Sequence, residues 1–148
     1  MKNSVIIVAA GSGKRMKSAI AKQYIELKGR TILSYTVETF EKSDNIDEII
    51  LVTSQEAIDF VTKNIVNKYQ FTKVKAVVAG GAERQDSVYN GLKKVSKDTD
   101  VVLIHDGVRP FVNDSYIAKL ESIAMEFGAC VLGAPVKDTI KICDSEGY

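Results

Sequence analysis

The sequence predicts an α/β fold, a mostly parallel and doubly wound sheet with helices on both faces. Short apolar runs alternate along the chain with segments whose apolar residues recur at helical spacing. The apolar runs lack polar alternation, as expected for parallel strands that are covered on both faces. Right-handed crossovers would gather the loops that follow the strands at one sheet edge, where ligands bind in Rossmann-like folds. The 148 residues suit a single domain, 1–148.

The individual elements follow from these two patterns. The runs predicted to be strands are residues 5–8, 49–52, 74–78, 101–104 and 129–132. The predicted helical faces are Ile32, Leu33, Thr36, Val37 and Phe40; Ala57, Ile58, Val61 and Ile65; Val88, Leu92 and Val95; and Ile117, Leu120, Ala124 and Phe127. We interpret all four faces as core packing. The polar loops after the strands, residues 10–15, 80–87, 105–109 and 134–139, should therefore converge.

Composition excludes several classes of function. Lys and Arg total 20 against 19 acidic residues, so no overall basic field indicates a nucleic-acid partner. No run of eighteen apolar residues exists and the N-terminus lacks a secretory apolar core, so we expect a cytoplasmic protein without membrane segments. Cys130 and Cys143 have no CxxC spacing and the chain has one His, which argues against a zinc site; we expect buried, reduced cysteines.

The segment VIIVAAGSGKRM, residues 5–16, joins a predicted buried strand to a loop of small residues and two cations. Gly11 and Gly13 can take positive φ and leave their N–H groups unobstructed, and Lys14 and Arg15 add positive charge. These features predict a cradle for a polyphosphate. The alternative is a tight strand-to-helix turn with two solvated cations.

Two common phosphate motifs do not fit this loop. A Walker loop has four residues before its Gly-Lys pair, whereas only Ser12 separates the two glycines here. The dinucleotide fingerprint needs a third glycine where this chain has Met16, which argues against a nicotinamide oxidoreductase. If Lys22 lies close to Arg15, the two cations could stabilise negative charge on the α-phosphate of a bound triphosphate during reaction. Taken alone, Lys22 is interpreted as a surface lysine.

A second loop, GGAERQDSVYNGL at residues 80–92, follows another strand. Its paired glycines allow the backbone to come close to a flat or crowded group. Asp86 and Ser87 then lie in the first turn of a helix, where Ser87 could cap the helix or bind a nucleobase. Spacing alone favours the cap.

The third and fourth loops carry charged residues. In IHDGVRPF, Asp106 follows a buried strand and is placed to hold a divalent metal on phosphate oxygens. The competing role of Asp106 is an ion pair with Arg109, and Asp106 could bind the metal and Arg109 at different times. We interpret His105 as a packed residue at the end of the strand. In APVKDTIK, Lys137, Asp138 and Thr139 could meet a second substrate, although this signal is weak by itself.

These four loops, in this order, resemble those of the 2-C-methyl-D-erythritol 4-phosphate cytidylyltransferases of the non-mevalonate isoprenoid pathway. The resemblance runs from VIIVAAGSGKRM through KQYIELKGRTIL, GGAERQDSV and LIHDGVRPF to PVKDTIK, which is nearly the whole chain. It implies a nucleotidyltransferase-type fold and transfer of a cytidylyl group from CTP to methylerythritol phosphate, with release of pyrophosphate and no covalent enzyme intermediate. Ribitol-5-phosphate cytidylyltransferase, which is similar in plan, and a CTP-binding module without turnover are the alternatives.

The resemblance also implies roles for individual residues. The triphosphate would be held by Ala9, Ala10, Gly11, Ser12, Gly13 and Lys14, and the transition state stabilised by Arg15 and Lys22. The pocket for the cytosine and ribose would be lined by Gly80, Gly81, Glu83 and Ser87. Asp106 would hold Mg²⁺ or another divalent cation, and Arg109 and Thr139 would face the sugar-alcohol phosphate. For Ser87, the resemblance favours a base contact over the cap.

Two departures from the family pattern qualify these expectations. The family usually has Pro before the KQY lysine, where this chain has Ala21. Family members also continue past Ile142 into an arm exchanged between two subunits, and then into a second metal carboxylate and basic residues for the acceptor. We therefore expect an arm beginning at about residues 139–148, a homodimer for the complete protein, and CTP binding with impaired turnover for a chain that stops at Tyr148.

Overall fold

The computed structural model describes residues 1–11, 20–140, 142 and 145. The strands are β1 (Asn3–Val8), β2 (Glu26–Leu27), β3 (Arg30–Thr31), β4 (Glu48–Thr53), β5 (Val74–Ala79) and β6 (Val101–Asp106). The helices are α1 (Ile32–Lys42), α2 (Ile58–Val61, continued by a π-helical turn over Thr62–Asn67), α3 (Arg84–Leu92) and α4 (Asp114–Phe127). Short 3₁₀ turns form at Lys22–Tyr24 and Gln55–Ala57.

The central sheet has four parallel strands in the order β5-β4-β1-β6, which confirms the predicted parallel architecture. Strand β1 lies between β4 and β6, with Ile6 opposite both Ile50 and Ile104. Strands β2 and β3 form a separate antiparallel pair. The four parallel strands run in the same direction, so the loops after β1, β4, β5 and β6 emerge at the same edge of the sheet.

Two apolar cores lie on opposite faces of this sheet. Val5 and Ile7 of β1 point into the larger core, where Leu33 and Phe40 of α1 are fully buried. Ile6 points to the other face, against which α3 packs. This alternation along one strand confirms that helices cover both faces.

The long helices begin where side chains cap them. Thr31 Oγ1 accepts a hydrogen bond from Ser34 N at the start of α1 (3.2 Å), and Asn113 Oδ1 accepts one from Ser115 N at the start of α4 (2.9 Å). Gly128 ends α4 with a φ of +86°, a left-handed conformation that favours glycine.

The predicted strand at 129–132 is wrong for this structure. These residues form no ladder, and the Val131 side chain is 90% exposed. An apolar run becomes a strand only when its backbone groups find a partner, and in the described part of the chain β6 pairs with β1 alone. Cys130 is therefore exposed rather than buried, with its thiol donating to Leu120 O at 3.1 Å, and Cys143 lies outside the described residues.

Among the helices that the structure describes, none has the length and apolar character needed to cross a membrane.

A buried carboxyl group lies on α4, away from the loops that follow the strands. Glu121 is only 3% exposed, and its Oε1 has no hydrogen-bond partner among the described residues. Burial, together with the nearby negative charges of Asp114 and Asp47, raises the pKa of Glu121 to about 7. The folded chain therefore favours the protonated form of this side chain.

Glu121→Gln should remove this dependence on pH. Because the folded-state pKa lies above the ordinary value of 4.5, the native chain loses stability as pH rises between the two values. We expect similar free energies of unfolding near pH 4, below the ordinary pKa, and an advantage for Glu121→Gln of about 1–3 kcal/mol above about pH 8. Urea unfolding at both pH values measures this difference. The control is Glu126→Gln at an exposed position of the same helix, and a pH-independent difference between Glu121→Gln and the native chain would contradict the assignment.

Candidate active site

Three loops meet at the carboxyl edge of the parallel sheet. Ala9 N donates to Val52 O (2.7 Å), Gly80 N to Thr53 O (2.8 Å) and Gly107 N to Val8 O (2.8 Å). Each bond ties the first residues of one loop to a neighbouring strand. The loops after β1, β5 and β6 therefore converge as predicted.

Small residues let these loops approach closely. A Cβ at Gly80 would overlap Ala10 Cβ and lie 2.7 Å from Ser87 Oγ, and a Cβ at Gly107 would lie 2.8 Å from Ala9 Cβ. By contrast, a Cβ at Gly11 would meet no described atom within 4 Å, and Gly11 does not take a positive φ.

The KQY turn lies beside the β1 loop. Lys22 is exposed, whereas Gln23 is only 6% exposed and donates from Nε2 to Ala9 O (2.7 Å) and Gly11 O (3.0 Å). Ala21, which replaces the family's proline, has a φ of −61° and ψ of 138°. Proline fixes φ close to this value, so alanine here preserves the backbone path into the turn.

Ser87 closes the Gly-Gly loop on itself. Its Oγ accepts a hydrogen bond from Gly81 N (3.1 Å) and donates to Glu83 O (3.2 Å), and the residue is 3% exposed. The prediction from spacing that Ser87 caps the helix is wrong. The helix α3 begins after Glu83, whose N–H donates to Asp86 Oδ2 at 3.0 Å. The predicted base contact of Ser87 remains a prediction.

Asp106 is held between two guanidinium groups. Arg84 Nη2 lies 3.0 Å from Oδ1, and Arg109 Nε lies 3.0 Å from Oδ2. Partial burial alone would raise the pKa of Asp106, but the hydrogen bond from Arg84 and the positive charges of both arginines hold it below its ordinary range. The ion pair with Arg109, which the sequence offered as the competing role of Asp106, is present. Sequence reasoning missed Arg84, because 22 positions of chain separate it from its partner.

Asp106 fits a divalent cation only in a limited sense. Among the described residues, no group of three or more His, Cys, Asp or Glu side chains could enclose a metal ion. Mg²⁺, however, often uses one or two carboxylates together with phosphate oxygens and water. The donor set therefore suits a metal shared with a polyphosphate ligand.

The other predicted site residues divide into three groups. His105 packs edge-on against Phe40 with ring centroids 4.8 Å apart, and burial lowers its pKa, as expected for a packed residue. Thr139 lies in the exposed stretch after α4, with no hydrogen bond to the converging loops in the described part of the chain. The remaining predicted residues, Ser12, Gly13, Lys14 and Arg15, lie outside the described residues.

Comparison with known proteins identifies the family. The family model for 2-C-methyl-D-erythritol 4-phosphate cytidylyltransferase (IspD) matches residues 3–148. The chain belongs to this family.

Individual relatives agree with the family assignment. The chain is 53% identical to the 2-C-methyl-D-erythritol 4-phosphate cytidylyltransferase of Clostridium botulinum (strain Loch Maree / Type A3), covering 99% of this chain and 64% of that protein. It is 52% identical to the one from Clostridioides difficile (strain 630), covering 94% of this chain and 58% of that protein. The chain thus spans somewhat under two thirds of the length of these curated relatives.

A solved structure supports the same fold. The 4-diphosphocytidyl-2C-methyl-D-erythritol synthase of Anaerococcus prevotii DSM 20548 superposes with a TM-score of 0.83 at 37% identity, covering 99% of this chain and 61% of that one. The predicted nucleotidyltransferase-type α/β fold is confirmed. In this cytidylyltransferase fold, Ala9, Ala10, Gly80 and Gly81 lie at the meeting point of the loops.

Gly80→Ala should separate the β1 and β5 loops. The added methyl group would overlap Ala10 and press on Ser87, so we expect a loss of about 1–3 kcal/mol in the free energy of unfolding. Gly133→Ala is the matched control, because a Cβ there meets no described atom within 4 Å. Chemical unfolding of both variants measures the difference. Equal stability of the two would show that the loops do not approach as closely as described.

Arg84→Ala should raise the pKa of Asp106. The substitution removes the hydrogen bond to Oδ1 and one neighbouring positive charge, and both favour the ionised carboxylate. Carboxyl ¹³C chemical shifts followed through a pH titration measure this pKa directly. Lys94→Ala, at an exposed position just after α3, serves as the control for lost charge. If Arg84→Ala leaves the pKa of Asp106 unchanged, the described contact between Arg84 and Asp106 is contradicted.

Proposed function

We propose that the protein transfers a cytidylyl group from CTP to 2-C-methyl-D-erythritol 4-phosphate and releases pyrophosphate. The single observation that carries this proposal is the convergence of the β1 loop, the Gly-Gly loop and Asp106 at one sheet edge. Close-packed glycines and a charge cluster together suit a nucleoside triphosphate. The family assignment selects the base and the acceptor.

The β1 loop would hold the triphosphate, chiefly through backbone N–H groups at Ala10 and Gly11. Lys22 projects from the adjacent turn, and Arg15 follows the loop in sequence. An acceptor phosphate oxygen attacks the α-phosphorus of CTP directly, the bond to the bridging oxygen breaks, and pyrophosphate leaves. The two cations would stabilise the negative charge that increases on the α-phosphoryl oxygens.

The Gly-Gly loop would enclose the cytosine and ribose. Gly80 and Gly81 present backbone without side chains, and Glu83 lies exposed beside them. Ser87 would act on this pocket by fixing the loop, because both hydrogen bonds of its hydroxyl group are made within residues 81–87. A flat base could stack and hydrogen-bond along such a backbone edge.

Asp106 would hold a divalent cation, with Mg²⁺ as the expected ion. Bound Mg²⁺ would neutralise charge on the phosphate oxygens. Arg109, once it leaves Asp106, could turn to the acceptor phosphate, and Thr139 would contact the acceptor from the segment after α4. We further propose that the complete protein works as a cytoplasmic homodimer.

The reaction is tested by pyrophosphate release from CTP with two acceptors in parallel, in a version of the chain extended past Tyr148. We expect product with methylerythritol phosphate and little with ribitol 5-phosphate. Product with ribitol 5-phosphate alone would instead support the ribitol enzyme. Calorimetric binding of CTP without product from either acceptor would indicate a nucleotide-binding chain.

In the extended chain, Lys22→Ala and Arg15→Ala should each lower turnover by about a hundredfold, which is the cost of losing one contact to the transition state in a water-excluded site. Lys63→Ala, on the exposed side of the π-helical turn, provides the matched control. Thermal melting of each variant separates chemistry from folding. A rate loss that follows the melting temperature would assign these cations to the scaffold rather than to the reaction.

A further inference from the structure

Gln23 makes an unusual pair of contacts for a residue in a short turn. It is 6% exposed, and its Nε2 atom donates to two backbone carbonyls of the β1 loop, Ala9 O at 2.7 Å and Gly11 O at 3.0 Å. The turn and the loop are 12 to 14 positions apart in the chain. One side-chain amide therefore joins two separate parts of the site.

These bonds set the direction of the loop's amide groups. A trans peptide is planar, so the N–H that follows a carbonyl points to the opposite side. With Ala9 O turned towards Gln23, the N–H of Ala10 points away from it. That N–H donates to none of the described residues.

The same side chain fixes the residue before it. Lys22 and Gln23 share a turn that is closed by Tyr24 N to Ala21 O (2.9 Å) and Ile25 N to Lys22 O (3.3 Å). Tyr24 anchors the turn on its other side through a hydrogen bond between its hydroxyl and Thr53. The backbone of Lys22 is therefore held between the β1 loop and the end of β4.

We propose that Gln23 is a positioning residue that holds Lys22 and the N–H of Ala10 as one unit. The proposal rests on the function proposed above, and extends it by a residue that touches no substrate. A primary amide suits the role because one nitrogen offers two N–H donors to two carbonyls without adding charge. A carboxylate at this position would bring oxygen against oxygen.

The test compares Gln23→Met and Gln23→Glu with Gln70→Glu. Methionine keeps approximate size without donors, glutamate keeps shape but reverses the hydrogen-bonding sense, and Gln70 is an exposed control remote from the loops. NMR titrations with CTP and with cytidine measure binding with and without the triphosphate. Amide relaxation of Ala10, Gly11 and Lys22 in the ligand-free chain measures their order independently of any nucleotide.

We expect both Gln23 variants to weaken CTP binding about tenfold or more while cytidine binding changes less than about twofold. We also expect lower order at the three amides, and Gln70→Glu to behave as the native chain in every measurement. Unchanged amide order, or equal losses for CTP and cytidine that follow the melting temperature, would overturn the proposal. Failure of the native chain to bind CTP would count against the proposed function, and the relaxation data would still decide whether Gln23 orders the loop.

Discussion

The site depends on the parallel pairing of β1 with strands on both of its sides. Val5, Ile6 and Ile7 are fully buried, and burying each such side chain contributes about 1.5–3 kcal/mol, so the register of this strand is strongly specified. Because its neighbours run in the same direction, three loops from distant parts of the sequence reach one edge together. No single loop contains the site.

The second constraint is the small size of the residues where the loops touch. Gly80 lies against Ala10, and Gly107 lies against Ala9, at distances that leave no room for another carbon. Close packing of backbone leaves N–H groups, rather than long side chains, to meet a ligand. It also explains why Gln23 is buried: the carbonyls on the far side of the β1 loop still need donors, and this amide supplies them.

Two carboxyl groups show how position sets charge in this molecule. Asp106 lies between two arginines at the carboxyl edge of the sheet, where its pKa is lowered and the anion is favoured. Glu121 lies buried beside other acids, where its pKa is raised to about 7. The first arrangement suits chemistry with phosphates, whereas the second makes stability depend on pH.

The sequence by itself determined the four strands of the parallel sheet, the helices between them and the loops after β1, β5 and β6, because apolar periodicity and small-residue turns are local patterns. Its similarity to the cytidylyltransferases also identified the family before any contact was known. Tertiary structure alone decided the partners. Arg84 reaches Asp106, Ser87 closes its own loop instead of capping the helix, and residues 129–132 pair with no strand among the described residues. Hydrogen bonds and ion pairs between distant residues depend on where the chain folds back, and no local pattern of residue types encodes that.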